Sequence, residues 1–455
     1  MGLTNIIFIF FILPIFFLIY YIAPSKWRNI VLVLASLLIL GWKSPIFLPI
    51  IFNICLLNFW FGFLIFNLRT NAPLKKGVYF AIIIFNIIAF LAYLVFNFNS
   101  FKLFGQEIAK PVMLSFCILS NISYVTDIYI KRCRPQNSFI DYLTYAIMFP
   151  RMFLGPAVCY YKFNDQLRER KLNSDITADG INLFICGFAK KCLLADNIVK
   201  MYIFIIDQNV SGLSVVTAWL GAIAIFFNLY FVLSGYIDMA RGLGKMLGFN
   251  LPINFRPPLS ARSITNFIRR FNISIIHWFK VYINPPQLKN KGFLFTSIRV
   301  CLIGIAYALF FGGTACQFLA VFYFVALFLI EKLFLFDFFK SLPTFIRNII
   351  TFILVIFGVM FFEQGSVGKG INYLGAMFGT SGVFIDKTSI FLIISFGVTI
   401  ILCWLCASSI LKIRLFKIKR KYKTFYAVSK PICLLILFVI SLAFCSTNQG
   451  IISLV

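Results

Sequence analysis

Residues 234–282 read SGYIDMARGLGKMLGFNLPINFRPPLSARSITNFIRRFNISIIHWFKVY, and almost everything on either side of this segment is apolar enough to lie in a bilayer. Charged groups at membrane depth are costly, so they usually face a cavity, pair with each other or mark a functional path. A cytoplasmic loop is the alternative, but the aromatic and β-branched residues of 264–279 favour a half-buried or interfacial helix. The segment's charged or titratable residues are Asp238, Arg241, Lys245, Arg256, Arg262, Arg269, Arg270, His277 and Lys280.

The composition of the whole chain excludes a water-soluble globular protein. Of the 455 residues, 61% are hydrophobic and 12% are charged, and the mean hydropathy is +0.95. Apolar runs of roughly 18 or more residues recur, which is the length that a helix needs to span a bilayer. The sequence therefore predicts an all-α polytopic membrane protein with about 11–13 transmembrane helices plus re-entrant or interfacial helices. We expect a single domain over residues 1–455, with its core at about 111–335.

The net charge of +28 does not indicate nucleic-acid binding, because Lys and Arg lie in short loops between apolar runs. The more basic loops follow the odd-numbered spans, which places the N-terminus outside and these loops in the cytoplasm. Membrane lipids are predicted partners, and KIRLFKIKRKYK (412–423) is predicted to be an anchor near anionic lipid. The 12 cysteines are scattered without metal-type spacing, so the sequence predicts no metal site.

The order of apolar and polar segments gives the predicted spans. The segment 139–171 is interrupted by Pro150 and Gly155, which is typical of a bent or re-entrant segment, and its charged end, 162–171, is predicted to form an interfacial helix. Lys191 and Asp196 are five residues apart, which is not ideal helical ion-pair spacing, so they need not touch. The predicted spans are 5–23, 28–42, 46–67, 77–97, 111–130, 214–233, 295–312, 315–335, 345–362, 389–411 and 430–446.

Several longer motifs follow one another in a fixed order. In this order they resemble the membrane-bound O-acyltransferase (MBOAT) family, in its bacterial branch of alginate O-acetyltransferase-like proteins. The resemblance covers nearly the whole chain, and its most specific part is the stretch of about forty residues that begins at Ser234. The other motifs are LPIFFLIYYIAPSKWRNIVLVLASLLILGW (13–42), ISYVTDIYIK (122–131), FIDYLTYAIMFPRMFLGPAVCYYKFNDQL (139–167), GFAKKCLLADNI (187–198) and GINYLGAMFG (370–379).

The resemblance implies a fold and a chemistry. The family's helices form a ring around a central tunnel, where a cytoplasmic acyl thioester (acetyl-CoA or an acyl-carrier) meets an extracytoplasmic hydroxyl acceptor, a polysaccharide or other cell-envelope polymer. No cofactor is resident, and an extracytoplasmic acetylation partner protein is implied, as is the bacterial inner membrane. A histidine takes the acceptor's proton, and hydrogen-bond donors stabilise the oxyanion. The residues that we expect to line the tunnel or hold the donor are Asp238, Arg241, Arg262, Arg269, Arg270 and Asn272.

This chain departs from the family where the family has its histidines. The two later family histidines fall at Phe311 and Phe324, and an earlier tryptophan-histidine pair falls at Phe271 and Asn272. Phenylalanine can neither give nor accept a proton. Loss of a general base lowers a rate by about 10²–10⁴-fold. His277 is the one histidine in the chain, and it is a weak candidate for a replacement base.

Three hypotheses follow from the sequence. The first is an MBOAT-like membrane protein that is catalytically impaired or non-catalytic. The second is an active O-acyltransferase with a relocated base, in which arginines hold the donor's phosphates through their planar forks. The third is a transporter or channel in which Asp196, Asp238 and the arginines line a path.

Overall fold

The protein is helical throughout the computed structural model, which describes residues 3–42, 45–68, 71–98, 102–103, 106–107, 113–170, 172–208, 210–283 and 292–447. Within these ranges the sheet structure is one antiparallel pair of two-residue strands, β1 (Lys102–Leu103) and β2 (Gln106–Glu107). The predicted all-α class is confirmed.

The helices follow the predicted spans closely, and short 3₁₀ or π-helical turns join several of them. The α-helices of the described residues are α1 (Leu13–Ile22), α2 (Arg28–Gly41), α3 (Phe47–Asn67), α4 (Ala72–Phe98), α5 (Met113–Tyr129), α6 (Phe139–Ile147), α7 (Phe149–Met152), α8 (Tyr160–Phe163), α9 (Ser174–Ala189), α10 (Asp196–Ile206), α11 (Val215–Met246), α12 (Ile264–Ile268), α13 (Ile273–Tyr282), α14 (Gly292–Phe310), α15 (Ala315–Ile330), α16 (Phe336–Ser341), α17 (Thr344–Glu363), α18 (Val367–Met377), α19 (Lys387–Ala407), α20 (Ile410–Lys421) and α21 (Lys423–Thr447).

Seven of the described helices are long and apolar enough to cross a membrane, so the chain is a multi-pass membrane protein. Large apolar side chains on these helices are exposed, as Ile394 (76%) and Val398 (71%) of α19 show. Such surfaces suit contact with lipid. Three shorter apolar helices, Phe8–Ile22, Arg28–Gly41 and Phe295–Phe310, accompany them. The seven are Phe47–Asn67, Ala72–Val95, Val215–Met246, Ala315–Phe334, Thr344–Glu363, Lys387–Ala407 and Lys423–Cys445.

The chain forms two compact units, whereas the sequence predicts one domain. The first unit is Met1–Phe184 with Tyr236–Pro252, and the second is Ile185–Gly235 with Ile253–Val455. Helices α9 and α11 each pass through both units.

The first unit is built around α5, which packs against α3 and α4. Between α3 and α4, the buried amides of Asn58 and Asn86 exchange hydrogen bonds of 3.2 and 2.8 Å. The hydroxyl of Tyr142, in α6, donates to Asn121 of α5 at 2.7 Å. Such bonds between buried polar side chains fix the register of helices whose outer faces are apolar.

The interrupted segment after residue 138 is bent, as the sequence predicts. The helix α6 ends at Ile147, and the next residue, Met148, has a ψ of 117°, which is not helical. The helix α7 contains only four residues, including Pro150. Proline removes a backbone donor and disfavours a helical conformation in the residue before it. The side chain of Arg151 lies within this bend and is 1% exposed.

The predicted interfacial helix over 162–171 is wrong for the residues that the structure describes, which exclude 171. After α8 the chain makes only a 3₁₀ turn, Asn164–Leu167. The carbonyl of Leu167 accepts from the side chains of Asn29 (3.1 Å) and Arg170 (3.0 Å). These side-chain donors occupy an acceptor that a continuing helix would use, so tertiary contacts end the helix here.

In the second unit, Lys191 and Asp196 form an ion pair. Their spacing in the sequence predicts that they need not touch, and the structure shows that they do. The reason is local, because Lys190–Ala195 is a π-helical turn. A π-turn pairs residues five apart, as an α-helix pairs residues four apart.

Close approach of two helices depends on Gly235, which the sequence suggests is a packing residue. A Cβ added there would lie 2.8 Å from the carbonyl oxygen of Gly187 in α9. That distance is below any that a real Cβ atom shows, and the obstructing atom is backbone. The contact leaves no room for a side chain.

We expect Gly235→Ala to lower the free energy of unfolding by about 1–3 kcal/mol, because the added methyl group overpacks a backbone contact. The matched control is Gly77→Ala in α4, where an added Cβ meets nothing within 4 Å. That control should be neutral or slightly stabilising, since alanine favours a helix over glycine by about 1 kcal/mol. The midpoint of thermal unfolding in detergent measures both, and equal midpoints for the two variants would contradict the packing role.

Candidate functional site

Phe311 and Phe324, the positions at which the family resemblance predicts histidines, lie on the wall of one cavity in the second unit. Phe311, just after α14, and Phe324, in α15, both line this space, which has a volume of about 180 Å³. The ring of Phe324 stacks on Phe267 with centroids 5.9 Å apart, and Phe311 meets Phe362 edge-on at 5.7 Å. We call this space the aromatic cavity.

Small residues let the helices around the aromatic cavity approach closely. A Cβ at Gly358 of α17 would lie 2.5 Å from Cζ of Phe324, and one at Gly304 of α14 would lie 3.0 Å from Val325. The start of α15 is fixed by a capping box in which Thr314 and Gln317 satisfy each other's backbone donors. The Phe324 ring is therefore wedged against a neighbouring helix backbone.

The hydroxyl of Tyr307 is a polar group at the wall of the aromatic cavity, and a hydrogen bond fixes its position. It accepts a hydrogen bond of 2.7 Å from the amide of Asn272. Asn272 has a left-handed backbone (φ 50°, ψ 47°), which asparagine tolerates better than most residues. The side-chain N–H of Asn254 donates to the side-chain oxygen of Asn272 at 3.3 Å, and the side-chain oxygen of Asn254 accepts from the backbone N–H of Ser274 at 2.7 Å. A buried amide pair thus positions the phenol.

Lys280, near the end of α13, is the charged residue among the described residues that line the aromatic cavity. Its backbone and side chain are exposed overall, so it lies at the mouth of the cavity. Partial burial, followed by the nearby positive charge of Arg269, lowers the pKa of Lys280 from its usual value.

The predicted donor residues of the second unit lie away from the wall of this cavity. Arg262 and Arg269 are exposed. Arg270 folds back on its own loop, where its guanidinium donates to Asn266 (2.7 Å) and to the carbonyl of Pro257 (3.3 Å). Asn272 acts through Tyr307. Their role toward a donor stays a prediction.

Asp238 and Arg241 belong to the first unit and pair with each other. Their ion pair spans 3.2 Å, three residues apart on α11, and their side chains are 19% and 15% exposed. Arg241 also donates to the carbonyl of Leu251 at 3.4 Å. This pair stabilises the end of α11 and the turn that follows it.

His277 is exposed on α13 and does not line the aromatic cavity. This position does not support a replacement base at the cavity, and that role of His277 stays a prediction. Among the described residues, no three metal-binding side chains come together.

Comparison with known proteins settles the family. The model of MBOAT, the membrane-bound O-acyltransferase family, matches residues 131–367, more than half of the chain. The chain belongs to the MBOAT family.

Three relatives show the range of MBOAT proteins that this chain resembles. "Probable alginate O-acetylase AlgI" from Azotobacter vinelandii is 31% identical over 313 residues, which cover 66% of this chain and 62% of the relative. "Peptidoglycan O-acetyltransferase" from Helicobacter pylori is 29% identical, over 63% of this chain and 61% of the relative. "Teichoic acid D-alanyltransferase" from Bacillus subtilis is 24% identical, over 31% of this chain and 36% of the relative. The chain thus spans about three fifths of the length of the first two relatives.

The sequence does not single out Tyr307, one of the polar groups of this MBOAT cavity. A tyrosine in an apolar helix carries no motif, whereas Lys280 is one of the charged residues of segment 234–282 that are expected to face a cavity or pair with each other. Glu331, predicted to cap or to pair at a helix end with Lys332, accepts from the backbone N–H of Thr265 at 3.1 Å. It thereby caps the start of α12, and a carboxylate is favourable at that position.

Proposed function

We propose that this MBOAT chain is a catalytically impaired member of its family. It derives from enzymes that transfer acetyl or acyl groups from a cytoplasmic donor to an extracytoplasmic acceptor. One observation carries the proposal, namely that phenylalanine rings at 311 and 324 occupy the wall of the aromatic cavity. A phenyl ring cannot take the proton that an attacking hydroxyl must lose. The fold therefore persists with an altered site.

The surroundings of the protein are proposed from its relatives. The names of the alginate, peptidoglycan and teichoic acid relatives support a cell-envelope polymer as the acceptor with which the chain is associated. Its donor-side ligand is an acyl thioester, acetyl-CoA or an acyl-carrier, and its partner is an extracytoplasmic acetylation protein or the polysaccharide itself. It lies in the bacterial inner membrane with its N-terminus outside, because the more basic loops follow the odd-numbered spans.

The second candidate function is active O-acyl transfer with a relocated base. One observation favours Lys280 for that role over His277, because Lys280 lines the aromatic cavity and its pKa is below the usual value. An uncharged amine could accept the proton of a hydroxyl acceptor.

Turnover of an acetyl thioester by the full chain in lipid vesicles, with a crude envelope fraction as acceptor, tests the proposal. We expect the native chain and His277→Ala to match protein-free vesicles. Turnover by the native chain would overturn the impaired assignment. Its loss in Lys280→Met, but not in His277→Ala, would establish the lysine as the base, and the reverse pattern would establish the histidine.

A further inference from the structure

The first unit contains a second cavity, of about 260 Å³, whose wall is basic. It lies between the end of α3, the start of α4, and the end of α5 with the residues that follow it. Apolar groups of Ile65, Phe66 and Ile128 complete the wall. The charged residues that line it are Lys75, Lys131, Arg132 and Arg134. We call this space the basic cavity.

Aromatic and backbone contacts hold two of these cations in place. The Lys75 ammonium donates to the carbonyl of Tyr129 at 3.0 Å and lies 5.0 Å from the centre of the Tyr129 ring. The Arg132 guanidinium pairs with buried Asp127 at 3.2 Å and lies 5.1 Å from the ring of Tyr161. Cation–π contacts of this kind fix a charged side chain in one direction.

The backbone conformation at Lys131 determines the position of the third cation. Lys131 has a φ of +61°, a left-handed conformation that a residue with a side chain seldom adopts. Its N–H donates to the carbonyl of Ile128 at 3.0 Å, and the next N–H, of Arg132, donates to the carbonyl of Asp127 at 2.8 Å. This reversal brings residues 131–134 back over the end of α5, beside Lys75.

The charges around the basic cavity do not balance. Asp127 offsets Arg132, whereas Lys131 and Arg134 make no ion pair within 4 Å in the described part of the chain. Several like charges around one space repel each other, and a bound anion relieves that repulsion. The cavity volume of about 260 Å³ far exceeds the roughly 30 Å³ of one water molecule, so a tetrahedral oxyanion and its water fit.

We propose that the basic cavity binds the phosphate group of an anionic ligand. Lysine provides compact positive charge and arginine a planar fork for phosphate oxygens. The phosphate has two sources with this chemistry, an anionic phospholipid headgroup at the membrane surface or a soluble phosphate. The site lies in the first unit, so it is separate from the aromatic cavity of the second.

The test measures binding to the full chain in a neutral detergent by the shift of its unfolding midpoint. The probes are inorganic phosphate, short-chain phosphatidylglycerol and, as the zwitterionic control, short-chain phosphatidylcholine. Stabilisation by inorganic phosphate assigns the soluble source, and stabilisation by phosphatidylglycerol alone assigns the lipid headgroup. Either result supports the proposal, and binding should weaken with added chloride salt because the charges are exposed to screening.

The variants distinguish this site from general surface charge. Lys131→Asn with Arg134→Gln removes two charges and keeps a residue that tolerates the left-handed backbone, and we expect roughly 30-fold weaker binding. Either substitution alone should weaken binding about fivefold and guards against a double variant that fails to fold. The matched control, Lys26→Gln with Lys76→Gln, removes two exposed charges of the same unit outside the cavity and should bind as the native chain does. The proposal is overturned if neither anion stabilises the native chain, or if the control loses as much affinity as the cavity variants.

Discussion

Phe324→His is expected to leave thioester turnover at the level of protein-free vesicles and to destabilise the chain by about 1–3 kcal/mol, because the new imidazole is half-buried in a largely apolar cavity wall without suitable partners. The Phe324 ring is wedged against Gly358 and stacked on Phe267. An active-site histidine needs its second ring nitrogen held by a carboxylate or carbonyl in order to present the first as a base. Neither Gly358 nor Phe267 offers a side-chain acceptor. A single histidine restored at position 324 therefore has no partner that would orient its ring.

Thioester turnover in vesicles and the thermal midpoint in detergent measure these two effects. Phe324→Leu serves as the control, since it changes the ring without adding a polar group and should lose stability only through reduced packing. A rate increase within the 10²–10⁴-fold range of a general base in Phe324→His alone would show that the site is intact apart from one side chain. That result would contradict the expectation that one histidine is insufficient, because residues that act as a unit do not recover one at a time.

Arg151→Ala is expected to lower the free energy of unfolding by about 3–5 kcal/mol, because it removes charge-assisted hydrogen bonds and leaves a cavity. The guanidinium donates to the carbonyl of Tyr145 at 2.6 Å and to the hydroxyl of Ser120 at 3.0 Å. It also lies 4.9 Å from the ring centre of Tyr145 and 5.5 Å from that of Phe163. Arg151→Lys should recover less than half of the loss, since an ammonium has no planar fork to serve both acceptors and rings.

The matched control for Arg151 is Arg168→Ala in the same unit. The Arg168 side chain is 60% exposed, and its ion pair with Asp141 spans 3.6 Å. Exposed pairs contribute about 0–1 kcal/mol, so this variant should unfold close to the native midpoint. Thermal unfolding in one detergent compares the two, and an equal loss in both would show that the bend does not depend on the buried arginine.

The transmembrane helices could be predicted from the sequence within a few residues, because apolar run length dictates them. The predicted spans 46–67 and 345–362 correspond to Phe47–Asn67 and Thr344–Glu363. The end of α11 lies 13 residues beyond the end of the predicted span 214–233. The structure continues the helix to Met246, and Asp238 and Arg241 pair along it three residues apart. A local ion pair on one helix face keeps a polar stretch helical.

The candidate site could be predicted only in part. The family resemblance directed attention to Phe311 and Phe324, and the structure places both on one cavity wall. Tyr307 could not be predicted, because the packing of α14 brings it to the cavity and it carries no local pattern, whereas Lys280 belongs to the charged segment 234–282. The basic cavity has the same origin, since Lys75 and residues 131–134 come together only when α4 and α5 pack side by side.

The length of α11 determines where its charged residues lie relative to the bilayer. A helix of 32 residues is about 48 Å long at 1.5 Å per residue, whereas the hydrocarbon of a bilayer is about 30 Å thick. The apolar part up to Leu233 already fills that thickness, which leaves roughly 20 Å of helix for the headgroup layer. The pair of Asp238 and Arg241 therefore lies at headgroup depth, and because its side chains are only 19% and 15% exposed, the surrounding protein rather than the lipid keeps added salt from weakening it.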